Sequence, residues 1–365
     1  MTRTEIAHRL EIDKSTVTDN AKPLIARGIL HEETLENTGQ GRRSRILSFA
    51  DDEDYFIGVN LGVRHSQVGV TTLKGEITDV VDFETPSNAK NALKMTRERI
   101  ETFYKANPNG RLRTIGVSVP GMTDTHRRSL VYAPNLNWRN VAIAEELQIN
   151  DSVRVIVEND STAAAMYEAR MKIRNSEEGL MTNFILVRSG TGIGVGLVIG
   201  SEVYRGTGSG SGIAGEFGHM TIVAGGKSCV CGNRGCWEKY ASAASAASLY
   251  LGDRPPGRGE SVPRFVEIVS KAENGDNRSR RTLEKIGDYL GIGIANVIMG
   301  VGIPRVIISG RLVYGWNFIK DPLYEAIGRS IVGKIEGWSV EAGEPVGSAI
   351  GGALEVAVED YLCTL

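Results

Sequence analysis

The sequence predicts an α/β chain: a small unit of two helices and a strand hairpin, followed by a larger body of two lobes that repeat one design. Three observations lead there. Helical periodicity at the start is confined to two short runs, residues 2–10 and 14–28, ahead of two polar strands around a glycine turn. From Tyr55 the pattern becomes apolar strands broken by glycine turns, and the same order returns from Phe184. Ala- and Gly-rich helical stretches then supply faces able to pack on those strands.

Composition narrows the class. A chain of 365 residues exceeds one ordinary core. Hydrophobic content of 41%, charged content of 24% and 44 glycines describe a soluble globular protein and exclude a disordered or fibrous one. A formal net charge of −2 excludes the global basic excess of a nucleic-acid coat or membrane-surface protein, so any DNA contact must be local. No basic segment leads into an apolar one at the start, and no 18 apolar residues run together, so neither export nor a membrane anchor is expected. Three of the four cysteines cluster, which is no disulfide framework and favours reduced thiols in a cytoplasm.

In the first unit, "TRTEIAHRL" places Ile6, Ala7 and Leu10 on one helical face, with Thr2 or Thr4 available as N-cap. After the turn "EID", Asp13 is positioned to cap "KSTVTDNAKPLIARG", whose Val17, Ala21, Leu24 and Ile25 face inward before Gly28 ends it. Pro23 lies inside this helix and requires a kink or a late start. The pair reads as a helix-turn-helix. In that motif the start of the second helix enters the major groove, here with Lys14, Ser15, Thr16, Thr18, Asp19 and Asn20. "ILHEETLENTGQGRRSRILSF" then reads as strand, turn and strand, a wing with Arg42, Arg43 and Arg45 at or past its tip, placed for phosphates or a minor groove. Residues 1–50 are expected to form this winged helix-turn-helix, truncated at its start because the chain begins so near the first helix. Eight Lys/Arg against seven Asp/Glu over residues 1–45 make the alternative a solvated helical pair.

The two glycine-turn meanders, "YFIGVNLGVRHSQVGVTTLKGEITDVVDF" and "FILVRSGTGIGVGLVIGSEVYRG", suggest the duplicated ribonuclease-H-like architecture shared by actin and sugar kinases, with ligands in the cleft between lobes. The expected division is 55–172 plus 349–365 for lobe 1 and 173–348 for lobe 2. "RTIGVSVPGMTD" and "RVIVENDSTAAAMYEARM" supply strand–loop and strand–helix units to the first, the latter with Asp160 or Ser161 at a helix N-terminus. "RVIISGRLV" is a buried strand of the second, and "VGSAIGGALEVAVEDYL" a closing helix.

Cys229, Cys231 and Cys236 fall within one short glycine-rich segment. Three thiolates so spaced can hold a divalent metal, and His219 can complete a tetrahedral Cys3His set. Four protein ligands leave no open position, so such a site is structural; the alternative is three small buried hydrophobes. With "GEFGHM" ahead of "CVCGNRGCWEKYAS", and "VPGMTD", "VENDSTAAA" and "SGTGIGVGLVIG" in their places, the sequence resembles the ROK family (repressors, open reading frames, kinases) along nearly its whole length. It is most similar in kind to that family's sugar-responsive regulators of the xylose and N-acetylglucosamine repressor type. The resemblance implies zinc on His219, Cys229, Cys231 and Cys236. It implies sugar binding by Asn159, Asp160, Glu216, His219 and Glu238, whose amide and carboxylates can each meet neighbouring ring hydroxyls.

The kinases of that family resemble one another in an Asp-X-Gly-Gly-Thr turn that cradles ATP phosphates. Here the stretch is "NLGVR": Asn60 replaces the acid, Val63 a glycine and Arg64 the threonine. Asp160 would be the general base of a kinase, but it equally matches a sugar ligand. The expected function is therefore a sugar-responsive, DNA-binding regulator with operator DNA and a small sugar or sugar phosphate as its partners, a homodimer or higher homo-oligomer acting as a repressor of carbohydrate-utilisation genes, without catalysis. An ATP-dependent sugar kinase with a regulatory N-terminal domain is the alternative from another class. A protein governed only by a docking partner is a third.

Overall fold

The computed structural model describes residues 1–34, 45–50, 53–175, 181–207, 213–258, 260–345 and 348–365. Helix α1 (Arg3–Leu10) starts in a capping box: the Thr2 hydroxyl accepts from the Glu5 N–H, and the Glu5 carboxylate accepts from the Thr2 N–H. Helix α2 (Lys14–Ala26) runs through Pro23, which sits late in the helix, where the missing N–H disturbs only the last turns. Asp13 stands at the N-cap with extended backbone but makes no side-chain cap bond. Gly28, at φ +70°, takes the chain out of the helix. Strands β1 (Leu30–Thr34) and β2 (Arg45–Phe49) pair antiparallel with Leu30 opposite Phe49. Leu47 donates to the Met1 carbonyl at 2.8 Å, stitching β2 to the start of α1. Among the described residues of this unit, Ala7, Val17, Ala21, Ile29 and Leu47 are the buried apolar side chains. Arg42 and Arg43 lie outside the described residues.

The body contains two five-stranded sheets built by one rule. In the first, β3 (Asp54–Leu61), β4 (His65–Thr72) and β5 (Ile77–Glu84) form an antiparallel meander. Helix α3 (Ala89–Ala106) leads to β6 (Arg111–Val119). A small three-stranded sheet of β7 (Met122–Thr123), β8 (Leu130–Ala133) and β9 (Trp138–Val141) and the short α4 (Ile143–Leu147) lead to β10 (Arg154–Asn159). The order is β10-β6-β3-β4-β5, with β6 parallel to both β3 and β10. Central β3 is covered on both faces and reads as a near-continuous apolar run, whereas edge strand β5 is mostly exposed.

After α5 (Asp160–Asn175) the rule repeats. Strands β11 (Phe184–Ser189), β12 (Ile193–Ile199) and β13 (Glu202–Val203) form the second meander. Helices α6 (Glu238–Ala241), α7 (Ser245–Tyr250), α8 (Phe265–Glu273) and α9 (Asn277–Val301) follow. Then come β14 (Arg305–Gly310), α10 (Trp316–Arg329) and β15 (Ser339–Ala342), giving the order β13-β12-β11-β14-β15 with the last two strands parallel to β11. This is the actin-like arrangement of sugar kinases.

Two helices join the sheets because their faces are small. On α5, Ala163 and Met166 pack with Ile156 and Val356, while Ala164 and Ala165 pack with Phe184, Leu186 and Val198 of the second sheet. Helix α11 (Ser348–Cys363) lies on the first sheet, with Leu354 against Gly58 and Ala353 against Gly116, at glycines where a Cβ would collide. A larger side chain on the Ala face of α5 would force the sheets apart and spoil whatever sits between them.

Candidate functional site

Between the sheets opens a cleft of ≈ 520 Å³. Its floor comes from the ends of β3, β10 and β11 and from the turn after β11, and it brings together Asn159, Asp160, Glu216, His219 and Glu238. Asn159, rather than Asp160 or Ser161, caps α5: its Oδ1 accepts from the N–H groups of Ser161 (2.8 Å) and Thr162 (3.1 Å), and its Nδ2 donates to the Gly121 carbonyl (2.9 Å). Both acceptor positions and one donor are thus committed to the fold, leaving one N–H for a ligand.

Asp160 begins α5 and its Oδ2 accepts from Arg188 Nη1 at 2.7 Å. Glu216 opens a single 3-10 turn, Glu216–His219, and its side chain keeps 27% of its surface open to the cleft. Burial pushes the Glu216 carboxyl up to about 7, with the Asp160 and Glu238 carboxylates adding to the rise. Glu238, at the start of α6, is buried. The turn after β11 backs onto it, since a Cβ at Gly192 would collide with Glu238 Oε2.

His219 connects the cleft to the thiols. Its Nε2 faces Glu216 Oε2 at 3.7 Å, whereas Nδ1 faces Cys229 Sγ at 3.6 Å. Cys231 and Cys236 sulfurs are 3.7 Å apart, and the ligand atoms of His219, Cys229, Cys231 and Cys236 all lie within 4.8 Å of one another. Tetrahedral bonds of about 2.3 Å to one ion place sulfurs about 3.8 Å apart, so the Cys231–Cys236 separation already matches such an ion and the other two ligand atoms stand close enough to gather around it. Burial raises the Cys229 and Cys236 thiols, and the Glu238 carboxylate adds to both shifts; a cation among them would favour the thiolates. The segment folds as a tight knuckle, with Thr221 bridging Cys236 and Ser228 bridging Arg234. It is pinned by Trp237, fully buried against Gly293 of α9 and donating through Nε1 to the Tyr289 carbonyl at 2.9 Å. Cys229 Sγ also donates to Glu238 Oε1 at 3.1 Å, so metal cluster and cleft share a wall.

At the far end the cleft is lined by Asn60 near the end of β3 and by Val63 and Arg64 of the turn that follows. Asn60 is buried and its Oδ1 accepts from the Ser118 hydroxyl at 3.2 Å, an amide in the hydrogen-bonded core rather than a carboxylate facing phosphate. Arg188, Asn135 and Arg311 also line the cleft and were not singled out in the sequence. Arg188 is the single cation of the otherwise apolar strand β11, and its polar intrusion in "FILVRS" was the available signal.

In the N-terminal unit, Lys14, Ser15, Thr16 and Asn20 are exposed on α2. Thr18 is half-buried, its hydroxyl turned back to the Lys14 carbonyl at 2.9 Å. Arg45 is exposed and pairs with Glu32 at 3.3 Å.

A model of the ROK family matches residues 56–353. The chain belongs to the ROK family. As a ROK protein it is 30% identical over 340 residues to the xylose repressor of Bacillus subtilis (strain 168), spanning 92% of this chain and 84% of that one. It is 28% identical over 290 residues to the glucokinase of Streptomyces coelicolor, spanning 76% and 88%. In fold it is similar to the crystal structure of a ROK family transcriptional regulator, a homologue of the Escherichia coli MLC protein. That match has a TM-score of 0.78 at 22% identity and covers 99% of this chain and 92% of the other. No helix among the described residues is long and apolar enough to cross a membrane.

Proposed function

We propose that this ROK protein is a sugar-responsive transcriptional repressor of carbohydrate-utilisation genes. Residues 1–50 serve as a winged helix-turn-helix, and the two lobes, 55–172 with 349–365 and 173–348, serve as a sugar-kinase-like effector domain that does not phosphorylate its ligand. The observation that carries the reading is the unequal state of the two ends of the cleft. Asp160, Glu216, His219 and Glu238 still converge at one end, while the turn at the other holds a buried, bonded Asn60 with Val63 and Arg64. Phosphoryl transfer depends on charge neutralisation and positioning around the phosphates, which that turn no longer offers. Similarity to a named repressor over 92% of the chain supports the same conclusion.

Sugar recognition falls to Glu216, Glu238, His219 and Asp160, with the remaining N–H of Asn159. The metal is zinc, held by His219, Cys229, Cys231 and Cys236. Its chemistry is structural: it gathers the knuckle and fixes the His219 ring that faces Glu216. DNA contacts fall to Lys14, Ser15, Thr16, Thr18 and Asn20 at the start of α2, and to Arg42, Arg43 and Arg45 of the wing. A palindromic operator read by a cytoplasmic homodimer is the default geometry.

The test is a titration of the full-length protein against genomic fragments that it selects itself, at fixed salt, with and without a panel of monosaccharides. A preferred fragment whose affinity changes with one sugar is the expected result; no preference over random duplex ends the reading. Asp160 and the 28% identity to a glucokinase favour the kinase as the second reading. Sugar-dependent ADP release from ATP would promote it.

A further inference from the structure

Asn159 and Asp160, which face the cleft, stand where β10 ends and α5 begins. β10 is an edge strand of the first sheet, yet two arginines from segments of the second sheet grip this junction. Arg188 of β11 does so from inside the cleft, donating to Asp160 Oδ2 at 2.7 Å. Arg205, two residues past β13, does so from outside it, where its Nε donates to Glu158 Oε2 at 2.7 Å. Arg205 and Glu158 are not among the described residues that line the cleft.

Glu158 is the centre of this outer grip. Its side chain is only 4% exposed, an expensive place for a carboxylate unless it is paired. Arg127 Nε also stands 3.2 Å from Oε2, and the Arg127 carbonyl accepts from the Val157 N–H at 2.8 Å, which ties that arginine to the same strand. Oε1 accepts from the Asn159 N–H at 3.1 Å, so the carboxylate fixes the peptide of the next residue. Asn159 in turn caps α5, and Asp160 opens it. On the other side of the pair, Arg205 Nη2 donates to Met166 Sδ of α5 at 3.6 Å and stands 3.8 Å from Glu359 of α11. Burial works against the Arg205 charge, but the Glu158 carboxylate outweighs it and Glu359 adds to the rise. These contacts run from the second sheet to the backbone of a residue that faces the cleft, and none of them involves a ligand.

We propose that Arg205 and Glu158 are positioning residues for the cleft: from outside they hold the β10–α5 junction to the second sheet, so that Asn159 and Asp160 keep a fixed placement opposite Glu216 and Glu238. The proposal rests on the sugar-effector reading above and extends its site to two residues that the ligand never touches. A purely structural ion pair would stabilise the fold and leave ligand affinity alone. A positioning pair changes affinity in protein that remains fully folded.

Two measurements on full-length Arg205→Met, prepared without chelator, test it. The first is amide hydrogen exchange without ligand. The amides of Asn159, Ser161 and Thr162, which bond to the Glu158 and Asn159 side chains, should exchange roughly tenfold faster than in the wild type, while residues 185–187 of β11 keep their wild-type rates. The second is calorimetry with D-xylose, D-glucose and N-acetyl-D-glucosamine, run well below the melting temperature of each variant. The sugar that the wild type prefers should bind roughly tenfold more weakly, the scale of loss when an outer partner of a ligand group is removed. Arg205→Lys, which keeps the cation but not the fork, should fall between the two proteins in both measurements, and it carries the test if Arg205→Met fails to fold. Wild-type exchange at the junction, or wild-type sugar affinity in a variant whose melting temperature has dropped, overturns the proposal and leaves the sugar-effector reading standing. Faster exchange at the junction of a protein whose wild type binds no sugar of the panel overturns that reading instead, while supporting the hold of Arg205 and Glu158 on the junction.

Discussion

Glu238 answers to three neighbours at once: its Oε1 accepts from Cys229 Sγ at 3.1 Å and faces His219 Nδ1 at 3.9 Å, and its Oε2 backs onto Gly192. Removing a buried carboxylate that also meets a ligand should cost on the order of 1 to 3 kcal/mol, about tenfold to a hundredfold in sugar affinity. Glu238→Ala should therefore bind operator DNA normally and lose its response to sugar, which a DNA titration at saturating wild-type sugar concentration checks. His219 stood out in the sequence because it precedes a cysteine spacing with its own chemical meaning, whereas Glu216 and Glu238 were singled out by the resemblance to the ROK family. Arg188 was not singled out, because its partner Asp160 lies 28 positions earlier at the start of a helix, and only the approach of α5 to β11 brings the two together. Asn159 was singled out for its amide, but its role as the cap of α5, which uses most of that amide, was not visible, because nothing in the residue type reveals where its bonds go.

At the scale of elements, the knuckle from His219 to Glu238 meets the apolar core near its two ends, through Met220, Ile222 and Trp237, while Val230 between them is exposed, so a metal should supply much of the order of its middle. Protein prepared without chelator should carry one zinc per chain by elemental analysis. Its removal, or Cys231→Ala, should lower the melting temperature and weaken sugar binding together, because the same His219 ring serves both sides. A second element joint lies at the other end of the first sheet. There Asp54 Oδ1 pairs with Arg111 and Arg113 at 2.7 and 2.9 Å, and Oδ2 accepts from the Tyr361 hydroxyl of α11 at 3.1 Å. Burial pushes the Asp54 carboxyl up, but the bonds from Arg113 and Arg111 outweigh it and hold it below its ordinary value. A depressed folded value means stability that is present above the unfolded value near 4 and lost as pH falls through the folded one. The melting-temperature gap between wild type and Asp54→Asn should thus be full at pH 7 and close below about pH 4. The strands and glycine turns of both sheets were legible because period-2 alternation and turn residues are local. The Asp54 joint was not, since Tyr361 reaches it from the opposite end of the chain.

For the whole molecule the question is how a cleft between two sheets can reach a helix pair at the N-terminus. Helix α11 spans the distance: Ser348, Ala349 and Ile350 at its start line the cleft, and Tyr361 near its end bonds to Asp54, the first residue of β3 after the chain leaves β2 at Phe49. The repeated sheet order was foreshadowed by the repeated glycine-turn meander, but this path depends on α11 folding back over β3 and β6, which no local pattern encodes. Sugar that draws the sheets together would move α11 at its cleft end and strain the joint at its other end. By linkage, if sugar changes operator affinity by some factor, operator must change sugar affinity by the same factor, typically worth about 1 to 3 kcal/mol. Calorimetric sugar titrations of the free protein and of its operator complex, set beside operator titrations with and without sugar, should return equal factors. Tyr361→Phe removes one hydroxyl from the joint and touches neither ligand, so it should leave operator affinity without sugar and sugar affinity without operator close to wild type while bringing the shared factor toward one. A wild-type coupling factor in Tyr361→Phe would show that the signal leaves the cleft by another route.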